Sequence, residues 1–297
     1  MAKVLTVIVA DNLSQLVEKH QLIPKTHFSG WPGRTTDALH YLVYKIKDTW
    51  QRGKVISILF LNVEDTIPNE VSDRLIHNLQ KRKIPEAYID FICRLLEGKK
   101  TRLKFNDFIS RLINICNGIG QGNPLSMILY IIYNADLLKM LALLNNEDSI
   151  GYIDDAIAIT TGINFYEITQ TLVCMMTRED RGLTWSLSHN LRFEISKLAI
   201  LYASQHIQPD LANPRKWIPL DRPPLHLQDK TIKEVESFKY LGIHIDSQLR
   251  WTVQAQKGVA NATQWIMQFC RLTKILTGIG IHLMHQLYIT VALPKMT

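Results

Sequence analysis

Two adjacent aspartates, Asp154 and Asp155, interrupt the otherwise apolar run IGYIDDAIAI at residues 150–159. The apolar residues on either side favour two short strands that meet at the pair. A turn is the plainest account of the two acids, because aspartate tolerates unusual backbone angles and bonds to nearby amides. A chain that buries the flanking residues must therefore place two like charges at one end of a hairpin.

A metal site is the second account of this pair. Two adjacent carboxylates repel each other, so one of them should take up a proton unless a cation compensates. Mg²⁺ fits this chemistry, since it is bound by one or two carboxylates together with substrate phosphates. Acids on a hairpin beside Mg²⁺ suit phosphoryl transfer, in which paired metals hold the attacking and leaving oxygens. On these residues alone, both accounts stay open.

The composition limits the class of protein. The chain has 297 residues, of which 46% are hydrophobic, so we expect a folded protein with a sizeable core. A formal charge of +7 fits a polyanionic partner but is equally compatible with a basic protein that has none. The four cysteines form no Cys-x-x-Cys motif, which favours a reduced, intracellular compartment, nucleus or cytoplasm. We expect no membrane partner, because no signal peptide is visible and the apolar run 125–133 is too short to span a bilayer.

The order of periodic segments predicts an α+β fold. Apolar spacing and turn residues predict helices at 5–20, 37–51, 69–97 with a break at Pro85, 125–144, 165–181 and 251–287. Strands are predicted at 53–63, 191–202 and 237–246, and a hairpin at 101–115 turning at Asn106 and Asp107. A glycine loop at 118–124 and a proline-rich connector at 208–230 separate these elements.

The functional residue types follow one another in a specific order. A buried strand ends near position 62, and a glycine loop with Gln121 comes next. A helix, the aspartate hairpin and a later lysine, Lys197, complete the series. An ordinary surface lysine is the alternative for Lys197, since most lysines are exposed.

That order resembles the reverse transcriptase family, with the closest likeness to the polymerase domain of fungal LINE-like (non-LTR) retrotransposons. The resemblance covers nearly the whole chain, and six motifs in order are more specific than any one of them. In chain order the motifs are HFSGWPGRTTDALHYLV (27–43), ILFLNVEDTIPN (58–69), NGIGQGNPLSMILYIIYNADLL (117–138), YIDD (152–155), GLTWSLSHNLRFEISK (182–197) and FKYLGIHID (238–246).

The resemblance implies a right-hand polymerase fold with a palm sheet, partial fingers and a partial thumb. It places partial fingers at 1–54, a palm at 55–250 with a fingers insertion at about 70–116, and thumb helices at 251–297. The chain's start and end predict a truncated copy without the family's endonuclease or RNase H domains.

The same resemblance implies a role for individual residues. Asp154 and Asp155 would bind two catalytic Mg²⁺ ions, or Mn²⁺, with the backbone carbonyl of Val63. Lys197 would protonate the leaving pyrophosphate, as general-acid logic suggests. The nucleotide and template site would contain Arg34, Ile67, Gln121, Gly122 and Tyr152, and the primer grip Tyr240, Leu241 and Gly242. The implied partners are an RNA template, a DNA primer and dNTPs.

The chain departs from the family pattern at its first palm motif. Asn62 stands where the family places an aspartate that bridges both metals, and Ile67 stands where an aromatic residue is usual. A loss of about 4 kcal/mol of transition-state stabilisation slows a reaction about 10³-fold. Asp65 lies beyond the strand end, so we do not expect it to meet the near-ideal geometry that Mg²⁺ demands.

Two hypotheses follow. The first is an RNA-directed DNA polymerase domain that Asn62 and truncation impair. The second is a catalytically inactive nucleic-acid-binding relic of a retrotransposon. The basic stretches at 80–83 and 97–105 would serve either, although such runs are often only solvated faces. A viral RNA-copying polymerase is a third reading, which the Tyr-x-Asp-Asp context and the primer grip disfavour.

Overall fold

The computed structural model describes residues 2–29, 34–63, 71–115, 117–120, 122–210, 212–213, 215–272 and 278–296. The chain divides into two compact units, Met1–Val235 and Glu236–Thr297. Helices and strands alternate irregularly along it, which confirms the α+β class. The division into fingers, palm and thumb stays a prediction.

The first unit contains helices, strands and a short 3₁₀ helix. The α-helices are α1 (Ala2–Lys19), α2 (Arg34–Gln51), α3 (Ser72–Lys81), α4 (Glu86–Leu96), α5 (Leu125–Leu141), α6 (Phe165–Thr177) and α7 (Gly182–Ser188). The longer strands are β1 (Val55–Asn62), β6 (Glu147–Tyr152), β7 (Asp155–Gly162) and β8 (Ala199–Ala203). The short strands are β2 (Lys100–Thr101), β3 (Lys104–Phe105), β4 (Phe108–Ile109), β5 (Ile113–Asn114), β9 (Ile207–Pro209), β10 (Trp217–Pro219), β11 (His226–Leu227), β12 (Lys230–Thr231) and β13 (Lys233–Glu234). The 3₁₀ helix is Ile195–Lys197.

The second unit begins with a hairpin and continues as helices. Its elements are β14 (Ser237–Tyr240), β15 (Ile243–Asp246), α8 (Thr252–Leu272), α9 (Ile281–Leu287), a π-helical stretch Tyr288–Ala292 and α10 (Leu293–Met296). Three backbone amides, those of residues 248, 250 and 251, donate to the Asp246 carboxylate and fix the passage from β15 towards α8.

A five-stranded sheet in the order β13-β8-β1-β7-β6 organises the first unit. β1 is its central strand and pairs antiparallel with β7 on one side and with β8 on the other. Every residue of β1 before Asn62 is buried. A strand covered on both faces reads as a continuous apolar run, which is why its Val- and Ile-rich sequence predicted it correctly.

Helix α5 crosses the core and is buried on almost its whole circumference. We predicted that it would reach residue 144, but it ends at Leu141. The carboxylate of Glu147 accepts hydrogen bonds from the backbone amides of Leu143 and Leu144, each at 3.1 Å. Arg181 also donates to Glu147, at 2.9 Å, and to the carbonyl of Met140 at the end of the helix. This buried ion pair ends the helix where apolar spacing alone would continue it.

Four more predicted elements were wrong in extent. The helix predicted over 165–181 ends at Thr177, and α7 follows it as a separate helix. The strand predicted over 191–202 begins only at Ala199, because the 3₁₀ turn lies in its first half. The strand predicted over 237–246 is a hairpin, since Leu241 and Gly242 both have positive φ and reverse the chain. The helix predicted over 251–287 is divided into α8 and α9, and the connector holds the short pairs β9–β10 and β11–β12.

The predicted hairpin at 101–115 is confirmed. Its strands β3 and β4 pair antiparallel around the turn at Asn106 and Asp107, and Asn106 has a φ of 47°. β2 and β5 continue the pairing towards the body of the unit. Among the described residues, no helix is both long enough and apolar enough to cross a membrane.

Candidate active site

The aspartate hairpin has the form that the sequence predicted. β6 and β7 pair antiparallel, and Tyr152 faces Asp155 across the last pair. Ile153 and Asp154 form the two-residue turn, in which Ile153 has a φ of 53°. A positive φ is strained for a β-branched residue. The buried Asn134 of α5 donates from Nδ2 to the carbonyl of Ile153 at 3.3 Å, so a hydrogen bond from the core stabilises this turn.

The neighbouring strand brings Asn62 to the aspartates. In the β1–β7 register, Asn62 is the partner of Asp155. Its carbonyl accepts a hydrogen bond from the Glu194 amide at 3.0 Å, and Val63 forms a bridge with Phe193. The end of β1, the aspartate turn and the segment before β8 therefore meet at one end of the sheet. The position that the family fills with an aspartate lies directly beside Asp155.

The two aspartates differ in their environments. Asp154 is exposed at the turn, whereas Asp155 is half-buried at the start of β7. Burial first, and then the neighbouring Asp154 charge, raises the pKa of Asp155 from 3.8 to about 6. The repulsion expected for adjacent carboxylates thus adds to the larger effect of burial, and both favour either proton uptake or a bound cation.

The oxygen atoms at this end of the sheet suit a hard divalent cation. Asp155 is the register partner of Asn62, and each of the two is followed or preceded directly by a further oxygen donor, the carbonyl of Val63 or the carboxylate of Asp154. Mg²⁺ prefers carboxylate, amide and carbonyl oxygens as ligands. In the described part of the chain, no cluster of three or more histidine, cysteine, aspartate or glutamate residues could hold a metal. The described residues therefore offer two carboxylates, one amide oxygen and one backbone carbonyl as possible ligands.

Lys197 lies near this end of the sheet, two residues before β8. Ala199, the first residue of β8, pairs with Phe60 of β1, so the preceding segment runs beside the end of β1. The Lys197 ammonium forms an ion pair with the Glu194 carboxylate, and 62% of the lysine side chain is exposed. The sequence reading missed Glu194, since one acid in a mixed segment carries no pattern.

The residues predicted to contact nucleotide and template are only partly brought together. The hydroxyl groups of Tyr152 and Thr35 lie 2.6 Å apart, which joins the aspartate hairpin to the first turn of α2. Arg34 begins α2, but its side chain lies outside the described part. Gly122 is exposed with a φ of +76°, in open space. Gln121 and Ile67 lie outside the described residues, as does Asp65.

The predicted primer grip lies in the second unit. Tyr240 ends β14 and is buried, with 2% of its surface exposed. Leu241 and Gly242 form the tight turn to β15, with φ values of 47° and 89°. A glycine at the second turn position suits this backbone, which requires positive φ at both central residues.

Sequence reasoning missed His27 as a neighbour of the site. The segment 26–28 lies along β6, because the Phe28 amide donates to the Gly151 carbonyl at 2.8 Å and the Gly151 amide donates to the Thr26 carbonyl at 3.0 Å. His27 is fully buried, and its Nδ1 lies 2.8 Å from the Ser29 hydroxyl. Its Nε2 has no hydrogen-bond partner among the described residues. Burial lowers the pKa of His27 to about 4.

Solved structures similar to this chain include telomerases. Apo telomerase of Candida tropicalis, truncated from its C-terminal domain, matches with a TM-score of 0.53 at 10% identity, over 80% of this chain and 44% of that one. Telomerase of Candida albicans in complex with the TWJ fragment of telomeric RNA matches with a TM-score of 0.51 at 12% identity, over 84% and 38%. At such identities the likeness shows the fold alone. The chain therefore has a reverse transcriptase-like polymerase fold, as the motifs implied.

A relative found by sequence comparison is more informative about the class of protein than the telomerase structures are. The chain is 21% identical over 265 residues to the probable RNA-directed DNA polymerase from transposon X-element of Drosophila melanogaster. The match covers 85% of this chain but 26% of the relative, so the chain spans about a quarter of the relative's length. No protein-family model matches the chain. The resemblance to reverse transcriptases is thus confirmed by sequence and by fold, while the fungal group stays a prediction.

Proposed function

We propose that the chain is the polymerase part of a transposon reverse transcriptase, in which the substitution at Asn62 has impaired catalysis. The observation that carries the proposal is the β1–β7 register, which sets Asn62 beside Asp155 and next to the Asp154 turn. The substrates are an RNA template, a DNA primer and dNTPs. The name of the transposon relative and the RNA bound to the Candida albicans telomerase support these substrates.

Asp154 and Asp155 would hold divalent metal, with the Asn62 amide oxygen and the Val63 carbonyl beside them. Mg²⁺ or Mn²⁺ bound there would stabilise the negative charge on the attacking and leaving oxygens of a phosphoryl transfer. Lys197 gives a proton to the leaving pyrophosphate, and its Glu194 ion pair sets the position of the ammonium group at rest.

The nucleotide and template contacts belong to Arg34, Ile67, Gln121, Gly122 and Tyr152. Tyr152 acts from the hairpin itself, through the hydroxyl that contacts Thr35. The primer end is held by the turn of the second unit, at Tyr240, Leu241 and Gly242. Gly122 and Gly242 offer backbone without a side chain, which lets a nucleic acid strand approach closely.

Asn62 removes one negative charge from the site without removing an oxygen ligand. The described residues accordingly provide a pair of carboxylates and no larger acidic cluster. With about 4 kcal/mol of transition-state stabilisation lost, extension is about 10³-fold slower than with an aspartate. The polymerase reading therefore predicts a weak enzyme that a single substitution improves.

Primer extension on an RNA template tests this proposal. We expect little dNTP incorporation with Mg²⁺ by the native chain and a large gain for Asn62→Asp. Asn62→Ser is the matched control, since it changes the same position without adding a charge, and it should give no gain. Asp154→Ala in the Asn62→Asp background should abolish the recovered activity. Robust extension by the native chain, abolished by Asp154→Ala, would refute the impairment proposed for Asn62.

A catalytically inactive nucleic-acid-binding relic is the second candidate. The amide at Asn62 favours it, because an unchanged basic surface could outlast the loss of a catalytic acid. This candidate predicts salt-dependent binding of a primer–template by both native and Asn62→Asp proteins, with no extension by either. Recovery of extension in Asn62→Asp decides for the polymerase.

A further inference from the structure

One segment of the first unit projects apolar and basic side chains into solvent. We call residues 99–115, which contain β2 to β5, the basic ribbon. From Lys100 to Ile115 every residue except Ser110 is exposed. Phe105 and Phe108 are 62% and 61% exposed, whereas phenylalanine is among the residues most often buried in folded proteins. The folding of the unit does not account for these side chains, because they cover none of its core.

The charge of the basic ribbon is strongly one-sided. It contains five basic residues and one acid, Asp107, and so has a net charge of +4 in a chain whose formal total is +7. The basic residues are Lys99, Lys100, Arg102, Lys104 and Arg111. A surface of this kind attracts a polyanion, and it disfavours a second copy of the same basic ribbon because like charges would meet.

The strand register arranges the two kinds of side chain. Phe105 and Phe108 are direct cross-strand partners, so both rings stand on one face beyond the turn. Lys104 is paired with Ile109, one position away on each strand, and therefore stands on the opposite face. Because the ribbon is only two strands wide, a single strand whose bases stack on the rings can reach long cationic side chains of the opposite face around the ribbon's edge. Bases stack on the rings, and phosphates follow the positive charge.

The basic ribbon is connected directly to the predicted template loop. Its second half leads within three residues from β5 to Asn117, where the glycine motif begins. The Lys99 ammonium donates to the carbonyl of Asn117 at 3.3 Å and to that of Gly118. The base of the ribbon is thus joined to the loop by a side chain as well as by the backbone.

We propose that the basic ribbon is a stacking platform for the single-stranded part of the RNA template. This inference rests on the proposed function, and it adds a site for template outside the primer–template duplex. Phe105 and Phe108 stack on unpaired bases, and the basic side chains neutralise the phosphates. Duplex RNA–DNA is not the ligand, because paired bases are already stacked and expose no faces to the rings.

Fluorescence anisotropy with two probes separates this site from the rest of the protein. One probe is an RNA–DNA hybrid with a 5′ RNA overhang of about 12 nucleotides, within the ~4–16 nucleotides that such surfaces cover. The other is the same hybrid without the overhang. The native chain should bind the overhang probe more tightly than the blunt one. Phe105→Ala/Phe108→Ala should lower its affinity for the overhang probe by about tenfold or more, as the loss of one or two stacked bases predicts, and leave the blunt probe unchanged.

Three variants control for the chemistry. Phe105→Tyr/Phe108→Tyr keeps both aromatic faces and should bind the overhang probe like the native chain. Phe105→Leu/Phe108→Leu keeps apolar surface without a ring and should bind it as weakly as the alanine variant. Trp217→Ala removes an aromatic residue that is 60% exposed on the β9–β10 hairpin and should change nothing. Lys104→Ala should flatten the salt dependence of overhang binding by about one phosphate contact, a slope change of about 0.7.

The outcomes distinguish the two proposals. If neither probe binds, the nucleic-acid function itself fails. If both bind and the alanine variant keeps the overhang preference, the platform is refuted while the proposed function stands. Full binding of the overhang probe by the leucine variant would also refute stacking. If the native chain elutes as a dimer in size-exclusion chromatography and the alanine variant as a monomer, stacking is refuted too, because the face would then be an apolar contact between copies.

Discussion

Protonation of His27 should destabilise the fold as the pH falls below 6.5. The ring is fully buried, and its segment supplies the backbone pairing that covers β6 at Gly151. Burial lowers the pKa of His27 from 6.5 to about 4, so the unfolded chain binds the proton more readily than the folded one. The free energy of unfolding is therefore undiminished above pH 6.5 and falls as the pH drops from 6.5 towards 4.

The magnitude follows from those two pKa values. The interval between 6.5 and about 4 is equivalent to about 3 kcal/mol, at about 1.4 kcal/mol for each tenfold change. Asp155 acts in the opposite direction, because its raised pKa makes the folded state gain stability as the pH falls from about 6 towards 3.8. A comparison with a variant that lacks only the His27 proton isolates the histidine.

His27→Phe is that variant: it keeps a planar ring and removes the unpartnered Nε2, and the accompanying loss of the Nδ1 contact with Ser29 shifts the free energy of unfolding by an amount independent of pH. Urea unfolding at a series of pH values between 7.5 and 4 gives the difference in free energy between the two proteins, which should grow in favour of the phenylalanine protein by about 3 kcal/mol. His40→Phe, at an exposed position of α2, should reproduce the native pH dependence. Parallel curves for the native and His27→Phe proteins would refute the reasoning.

Three further predictions concern the core and the aspartate pair. Gly151→Ala should destabilise the fold by about 1–3 kcal/mol, because its new Cβ would lie 2.7 Å from Leu138 Cδ1 and 3.2 Å from His27 Cδ2. Thermal unfolding measures this loss, and Gly120→Ala is the control, because a Cβ there would meet no atom within 4 Å. Arg181→Met should cost about 3–5 kcal/mol in urea unfolding by leaving Glu147 charged and buried, whereas Arg52→Met at an exposed pair should cost under about 1 kcal/mol. Asp154→Asn should lower the pKa of Asp155 from about 6 but leave it above 3.8, because burial is the larger cause; carbon NMR of the carboxyl group measures it, and an unchanged value would exclude the role of the Asp154 charge.

The part of the fold that could be predicted is the part that alternation and burial determine locally. The run from Val55 to Leu61 must be covered on both faces, and the sheet has it at its centre. The aspartates had to lie at a strand end, since neither could be buried in mid-strand without a partner. That Asn62 and Asp155 share one end of the sheet was implied only by the resemblance to reverse transcriptases, and the structure shows that they are register partners.

The missed features depend on contacts between distant segments. Nothing near His27 marks it as a buried neighbour of β6, because its pairing partner lies more than a hundred residues away. The end of α5 is set by Glu147 and Arg181, which belong to later elements and override an apolar pattern that continues to Leu144. Helix α7 was read only as a motif, since its seven residues are too few to show a helical period.

The state of the aspartate turn bears on the proposal that Asn62 replaces a catalytic aspartate. The turn keeps Ile153 at a positive φ that costs about 1–2 kcal/mol, and Asn134 is buried beneath it to hold the carbonyl. A chain that had long been free of catalytic demands would gain stability from relieving either feature. Asn62, by contrast, is nearly isosteric with aspartate and needs no repacking of the buried β1 strand. The hairpin, its Asn134 hydrogen bond and the Asn62–Asp155 register are all present, so Asn62→Asp alone, without a change to the hairpin, is the decisive test of that proposal.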